Sequence, residues 1–164
     1  MTEIVTKIDN LIFKAIGQTV ENLTNDKECE AYSGCNFQLG QLAITFRKAK
    51  ITPKKSGQFV TLWKRNSERQ TEPYSINDRF DFYIIAADDE TESGFFFFPK
   101  QVLLENHILT TVNIEGKRGF RVYPDWSETT NKQALKTKSW QKKYFINLDQ
   151  ALTSLEKFKS HLPK

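Results

Sequence analysis

Asp81-Phe82-Tyr83-Ile84-Ile85-Ala86-Ala87 is a nearly continuous apolar run, and Gly94-Phe95-Phe96-Phe97-Phe98-Pro99-Lys100 follows it across an acidic turn. The first run is too short for an ordinary helix and is rich in aromatic and β-branched residues. It reads as a strand at the centre of a sheet, where both faces are covered. The second run reads as the next strand, stopped by its proline.

Upstream, Leu42-Ala43-Ile44-Thr45-Phe46-Arg47 alternates as a half-buried strand does. Thr52-Pro53-Lys54-Lys55-Ser56-Gly57 has turn chemistry, with proline fixing φ and glycine relieving strain. Gln58 to Arg65 reads as another strand, so residues 42–65 predict a hairpin. Residues 31–67 contain no Asp or Glu, yet hold Arg47, Lys48, Lys50, Lys54, Lys55, Lys64 and Arg65, interleaved with Phe46, Phe59 and Trp63. Like charges this dense repel unless they face water or a polyanion. A solvated sheet face accounts for them. A phosphate-bearing partner accounts for them better, because a basic stripe on one element is the footprint of nucleic-acid binding.

The remaining elements follow from periodicity. Ile4, Ile8, Leu11, Ile12 and Ile16 predict a helix over 3–23, with a polar, glycine-containing linker after it. Residues 66–79 read as a loop, 101–107 as a helix and 119–124 as a short strand. Two more helices are expected over 130–145 and 149–162. Thirteen Phe and three Trp supply a core for one domain spanning 1–164. The expected class is α+β or α/β, with a mixed, largely antiparallel central sheet flanked by helices.

Other chemistry is thinly represented. Cys29 and Cys35 do not form a CxxC pair, and with His107 and His161 isolated a tetrahedral zinc site is not expected. Gly34, Gly40 and Gly57 make no phosphate loop, and no nucleophile elbow occurs. No apolar run approaches ~20 residues and Met1-Thr2-Glu3 opens no leader pattern, so a cytoplasmic protein with free thiols and no membrane partner is expected. Trp140 and Tyr144, one helical turn apart, predict a core stripe. Tyr123 and Trp126 flank Pro124, where exposed rings could stack on bases. With Arg121 they would form a nucleotide or nucleoside pocket, an alternative to a nucleic-acid groove.

The order of elements resembles the restriction-endonuclease-like core, in which carboxylates hold Mg²⁺ and a lysine assists the attacking water. Glu30 and Asp81 would be the metal ligands of such a nuclease, and Lys100 its lysine. The position two before Lys100, where that core carries an acid, is Phe98. Lys64 is the substitute if strand pairing brings it beside Asp81. The chain is thus expected to bind DNA or RNA with little sequence preference on a disarmed fold, with an Mg²⁺-dependent nuclease as the alternative.

A family resemblance joins these motifs. Ala49 to Arg65, Phe98-Pro99-Lys100, Gly119-Phe120-Arg121-Val122-Tyr123-Pro124, Lys132-Gln133-Ala134, Trp140-Gln141 and Tyr144-Phe145 together resemble the MepB family, in its order, from Glu30 to Phe145. These are bacterial proteins, some encoded beside a multidrug efflux pump and its repressor. The resemblance implies a restriction-endonuclease-like fold and a nucleic-acid or nucleotide partner, and it brings no activity. The motif residues carried over are Glu30, Arg47, Lys50, Lys54, Gln58, Lys64, Arg65, Asp81, Lys100 and Arg121.

Overall fold

The computed structural model describes residues 1–164, the side chain of Ala151 excepted. Helix α1 (Glu3–Ile8) continues through a π-turn at Asp9–Phe13 and a 3-10 turn at Lys14–Ile16. Gly17, at φ +77°, ends it, so the helix expected over 3–23 stops short. Strand β1 (Val20–Asn25) follows instead. Its pairing slips between Glu21 and Thr24, around Asn22 at φ 55°. That bulge leaves both Val20 and Leu23 against the core, which mimics helical spacing.

A 3-10 turn at Lys27–Tyr32, capped by Asp26, leads to β2 (Cys35–Leu39). The sequence reading took this segment for linker. Its alternation is real, since Cys35, Phe37 and Leu39 are buried, but Gly34 and Gly40 bracket it as they would a loop. Strand β3 (Leu42–Lys48) pairs antiparallel with β2 through a tight turn at Gly40 (φ +62°). Its hairpin partner is therefore upstream, and the expected hairpin over 42–65 does not form. The segment after β3 gives β4 (Lys50–Ile51), β5 (Gln58–Thr61), β6 (Trp63–Arg65) and β7 (Thr71–Pro73). The single strand expected over 58–65 breaks at Leu62 and serves two sheets.

Strands β8 (Phe82–Asp88) and β9 (Ser93–Pro99) pair antiparallel, as expected, and α2 (Lys100–Glu105) follows. Then come β10 (Gly119–Val122), α3 (Lys132–Gln141), β11 (Phe145–Asn147) and α4 (Ala151–His161). The main sheet has the order β1-β2-β3-β8-β9-β11, with only the β3–β8 pair parallel. The architecture is thus mixed α+β with a largely antiparallel sheet. A second sheet, β10-β5-β4, and the ribbon β6-β7 stand apart from it.

Alternate residues of β8 and β9 feed two cores, which is why both strands read as unbroken apolar runs. Phe82, Ile84, Phe95 and Phe97 pack under α1 and α4 with Ile8, Ile12, Phe13 and Phe158. The Phe82 and Phe97 rings stack at 3.9 Å between centroids. Tyr83, Ile85, Phe96 and Phe98 face the other way, toward Val60, Leu62, Leu103, Phe120 and Val122. The small sheet is therefore bolted to the main one by its own apolar side. No helix among the described residues is long and apolar enough to cross a membrane.

Candidate functional site

Pairing decides where the cations go. β10 lies antiparallel to β5, with Gly119 opposite Thr61 and Val122 opposite Gln58. This brings Lys117 and Arg121 beside the turn at 52–57, far away in sequence. The first turn of α3, with Asn131 as its cap, closes the third side; the Asn131 Oδ1 accepts from the amides of Gln133 (2.9 Å) and Ala134 (3.2 Å). The result is a cleft of about 580 Å³ lined by Lys54, Lys55, Lys117, Arg121 and Tyr123, with Gln133, Thr129 and Thr137 on the helix side. No carboxylate lines it. Among the described residues none of its four cations is in an ion pair.

The turn is built to hold this position. Arg121 donates from Nε to the Ser56 carbonyl (3.0 Å) and from Nη2 to the Thr52 hydroxyl (2.7 Å) and the Gly57 carbonyl (3.3 Å). Gly57, at φ +73°, lies so close to the Tyr123 ring that a Cβ would sit 2.7 Å from it. Lys54 is left-handed, φ 66°, a conformation that costs a residue with a Cβ ~1 kcal/mol or more. Among the described residues its side chain makes no hydrogen bond or ion pair to repay that strain.

The other expected phosphate ligands are placed elsewhere. Arg47 is wholly buried on the inner face of β3. Its Nη2 donates to Asp26 Oδ2 at 2.7 Å and its Nη1 to the Phe46 carbonyl at 2.8 Å, so the expected phosphate contact is corrected to a structural ion pair. Gln58 is buried too, donating to the Asp88 carbonyl at 3.0 Å. Arg65 pairs with Glu28 (3.1 Å) and lies over the Trp63 ring. Lys50 is exposed but lies over Tyr32, in a separate cavity with Lys48 and Asp88. Tyr123, 7% exposed, is a wall of the cleft and no free stacking platform. Trp126 packs edge-on against Phe145.

The residues expected to cut a phosphodiester are brought together only in part. Asp81 and Lys100 meet where β8 begins and β9 ends, and there the Lys100 amide donates to the Asp81 carbonyl at 3.0 Å. The Asp81 carboxylate, however, accepts the Ala43 amide at 2.8 Å, and the Asp81 amide returns a bond to the Ala43 carbonyl at 2.8 Å. It staples β8 to β3. Lys64 pairs with Asp78 (2.6 Å) and Glu72 (3.5 Å), not Asp81, and the Asp78 hydrogen bond raises its pKa. Lys100 Nζ donates to the Asp78 carbonyl and lies over the Phe80 ring. Glu30 is exposed on the 27–32 turn. Its neighbours Ala31 and Ser33 border Asp88, the last residue of β8, whereas Asp81 precedes the first.

A protein-held Mg²⁺ requires carboxylates that converge. Among the described residues no group of three His, Cys, Asp or Glu side chains gathers to hold a metal. Phe98 packs into the core against Trp140 and Tyr144. The residues present do not fit the ion.

A family model described as MepB-like matches residues 26–147. The chain belongs to the MepB-like family. The crystal structure of MepB superposes with a TM-score of 0.78 at 36% identity, over 90% of this chain and 97% of that one. A bacterial homing endonuclease gives 0.49 at 16% identity, over 99% and 95% of the two chains. No curated protein matches. The MepB-like match takes in the 52–57 turn, β10 and α3, and so all four cations of the cleft. Sequence reasoning had found three of them in their motifs. It missed Lys117 as a partner, because only the β10–β5 register carries that residue to the turn.

Proposed function

We propose that this MepB-like chain binds nucleic acid through its phosphates, without regard to base sequence, at the cleft of Lys54, Lys55, Lys117 and Arg121. The observation carrying this reading is the concentration of unpaired cations in a concave site without a carboxylate. Five cations near them in the chain, Arg47, Lys48, Lys64, Arg65 and Arg118, are each matched by an acid. Four uncompensated like charges repel, and a string of phosphates is the partner that relieves the repulsion. Phosphate contacts position a protein and read no sequence. A bacterial cytoplasm, where DNA and RNA are both within reach, is the compartment this reading assigns.

The test is a titration with labelled oligonucleotides across a range of salt. Each neutralised phosphate releases counterions, so four contacts give a slope of log K against log salt of about −3. Removing charge at Lys54, Lys55 and Lys117 together should flatten it toward zero. Salt-independent binding, or a triple variant that binds unchanged, would overturn the reading.

A further inference from the structure

Resting on that reading, we infer that the cleft takes a single strand, one nucleotide's phosphate entering toward Tyr123 while its neighbours stay on the rim lysines, and excludes duplex. A space of about 580 Å³ has the size of a small-ligand pocket, so it admits a nucleotide unit and not a base-paired helix. A duplex reaches the exposed Lys54 and Lys55 at the rim but not the half-buried Arg121. A single strand can lower one sugar-phosphate unit inside.

Tyr123 adds a hydroxyl to this space. The side chain is more than nine-tenths buried, pinned between Gly57 and the strand, yet among the described residues its hydroxyl has no hydrogen-bond partner. It is not among the sealed unpartnered atoms either, which are Asp9 Oδ1, Arg47 Nε and Gln58 Oε1. The hydroxyl is therefore not sealed from solvent, and Tyr123 is one of the residues that line the cleft. A donor on a nine-tenths-buried residue that lines a cationic cleft suits a phosphate oxygen that has come inside. The uncommitted side chains of Gln133, Thr129 and Thr137 on the opposite wall offer polar groups to a sugar or base edge. A positively charged groove that tracks the backbone is what single-strand binders use, and here a recessed hydroxyl takes the place of a stacking ring.

The experiment compares a labelled single strand, its duplex and a free mononucleotide, each against the unaltered protein, Tyr123→Phe and Lys55→Gln. The single strand should bind at least tenfold more tightly than the duplex. Tyr123→Phe should weaken the single strand about tenfold and leave the duplex unchanged, since a hydrogen bond to a charged group is lost only where the phosphate enters. Lys55→Gln should weaken both. Equal affinity for strand and duplex, with Tyr123→Phe silent and Lys55→Gln effective, would overturn the single-strand inference and leave phosphate binding standing. A mononucleotide displacing the strand at equal concentration would also overturn it, in favour of a nucleotide pocket. No binding of any of the three would overturn both.

Discussion

Arg47 and Asp26 form the ion pair on which the inner face of β3 depends: Nη2 and Oδ2 are 2.7 Å apart and the arginine is wholly buried. Asp26 also caps the 27–32 turn by accepting the Glu28 amide at 3.1 Å. Asp26→Ala strands a buried guanidinium whose Nε already lacks a partner, and should cost about 3–5 kcal/mol in denaturant unfolding. Arg47→Met removes the buried charge itself and should cost distinctly less. Equal losses from the two would refute the pair's role. Neither change should alter nucleic-acid affinity of the folded protein.

Lys54 opposes stability to binding. Glycine accepts the left-handed backbone freely, so Lys54→Gly should stabilise the fold by up to ~1 kcal/mol. The same change removes one phosphate contact and should make the salt slope shallower by about 0.7–0.9. Melting temperature and a salt series on one sample read both. A variant that loses stability as well as affinity would show the turn to be held by the lysine side chain.

Lys50 separates the cleft from the basic stretch as a whole. It belongs to the same acid-free segment but lies over Tyr32, in another cavity. Lys50→Gln should leave affinity within twofold, while Lys117→Gln, outside that segment, should reduce it severalfold. The reverse order would return the binding face to β4 and its surroundings.

Asp81 should behave as a staple. Asp81→Ala leaves the Ala43 amide without its acceptor and should cost ~1 kcal/mol, whereas Asp81→Asn keeps an acceptor oxygen and should cost less. Added Mg²⁺ should weaken nucleic-acid binding in both variants and in the unaltered protein alike, as a competing counterion. Binding strengthened by Mg²⁺ only when Asp81 is intact would reveal a metal role.

His161 supplies a pH signature. Its Nε2–H donates to the Lys143 carbonyl at 2.8 Å, and burial lowers its pKa below the usual imidazole value. The unfolded chain therefore binds the proton more readily, and stability should fall as pH drops through about 6.5 toward the lower folded pKa. His161→Gln should remove that part of the pH dependence, seen by comparing unfolding free energies at pH 7.5 and 5.5. An unchanged pH profile would exclude the histidine as its source.

The sheet centre was legible because burial on both faces writes itself as an unbroken apolar run, as in Phe82 to Ala87. Strand β2 was illegible for the opposite reason. Only Cys35, Phe37 and Leu39 report its buried face, and glycines on either side speak for a loop. The partner of β3 could not be read either, since β3 sits beside β2 and β8 and only the upstream neighbour is near in sequence. The same limit governed the site. Lys54, Lys55 and Arg121 stood out by charge, but the register that groups them with Lys117 is tertiary. Arg47 shows how a charged motif residue misleads: its acid lies 21 positions upstream, on a turn the periodicity does not announce.

Strands β3 and β8 run parallel, so the chain between them, residues 49–81, must cross over before the pair can close. That crossover carries β4, β5, β6 and β7, including the 52–57 turn. The frame and the site are consequently assembled in one entangled act: the central pairing waits on a long-range closure, and a lesion in the crossover delays the whole sheet. Conversely, once β8 is seated, both ends of the crossover are clamped by interior strands of the main sheet. Changes to the 52–57 turn, the one wall of the cleft that the crossover supplies, can then accumulate between fixed endpoints, which gives the lineage latitude to retune what the cleft holds without redesigning what holds it.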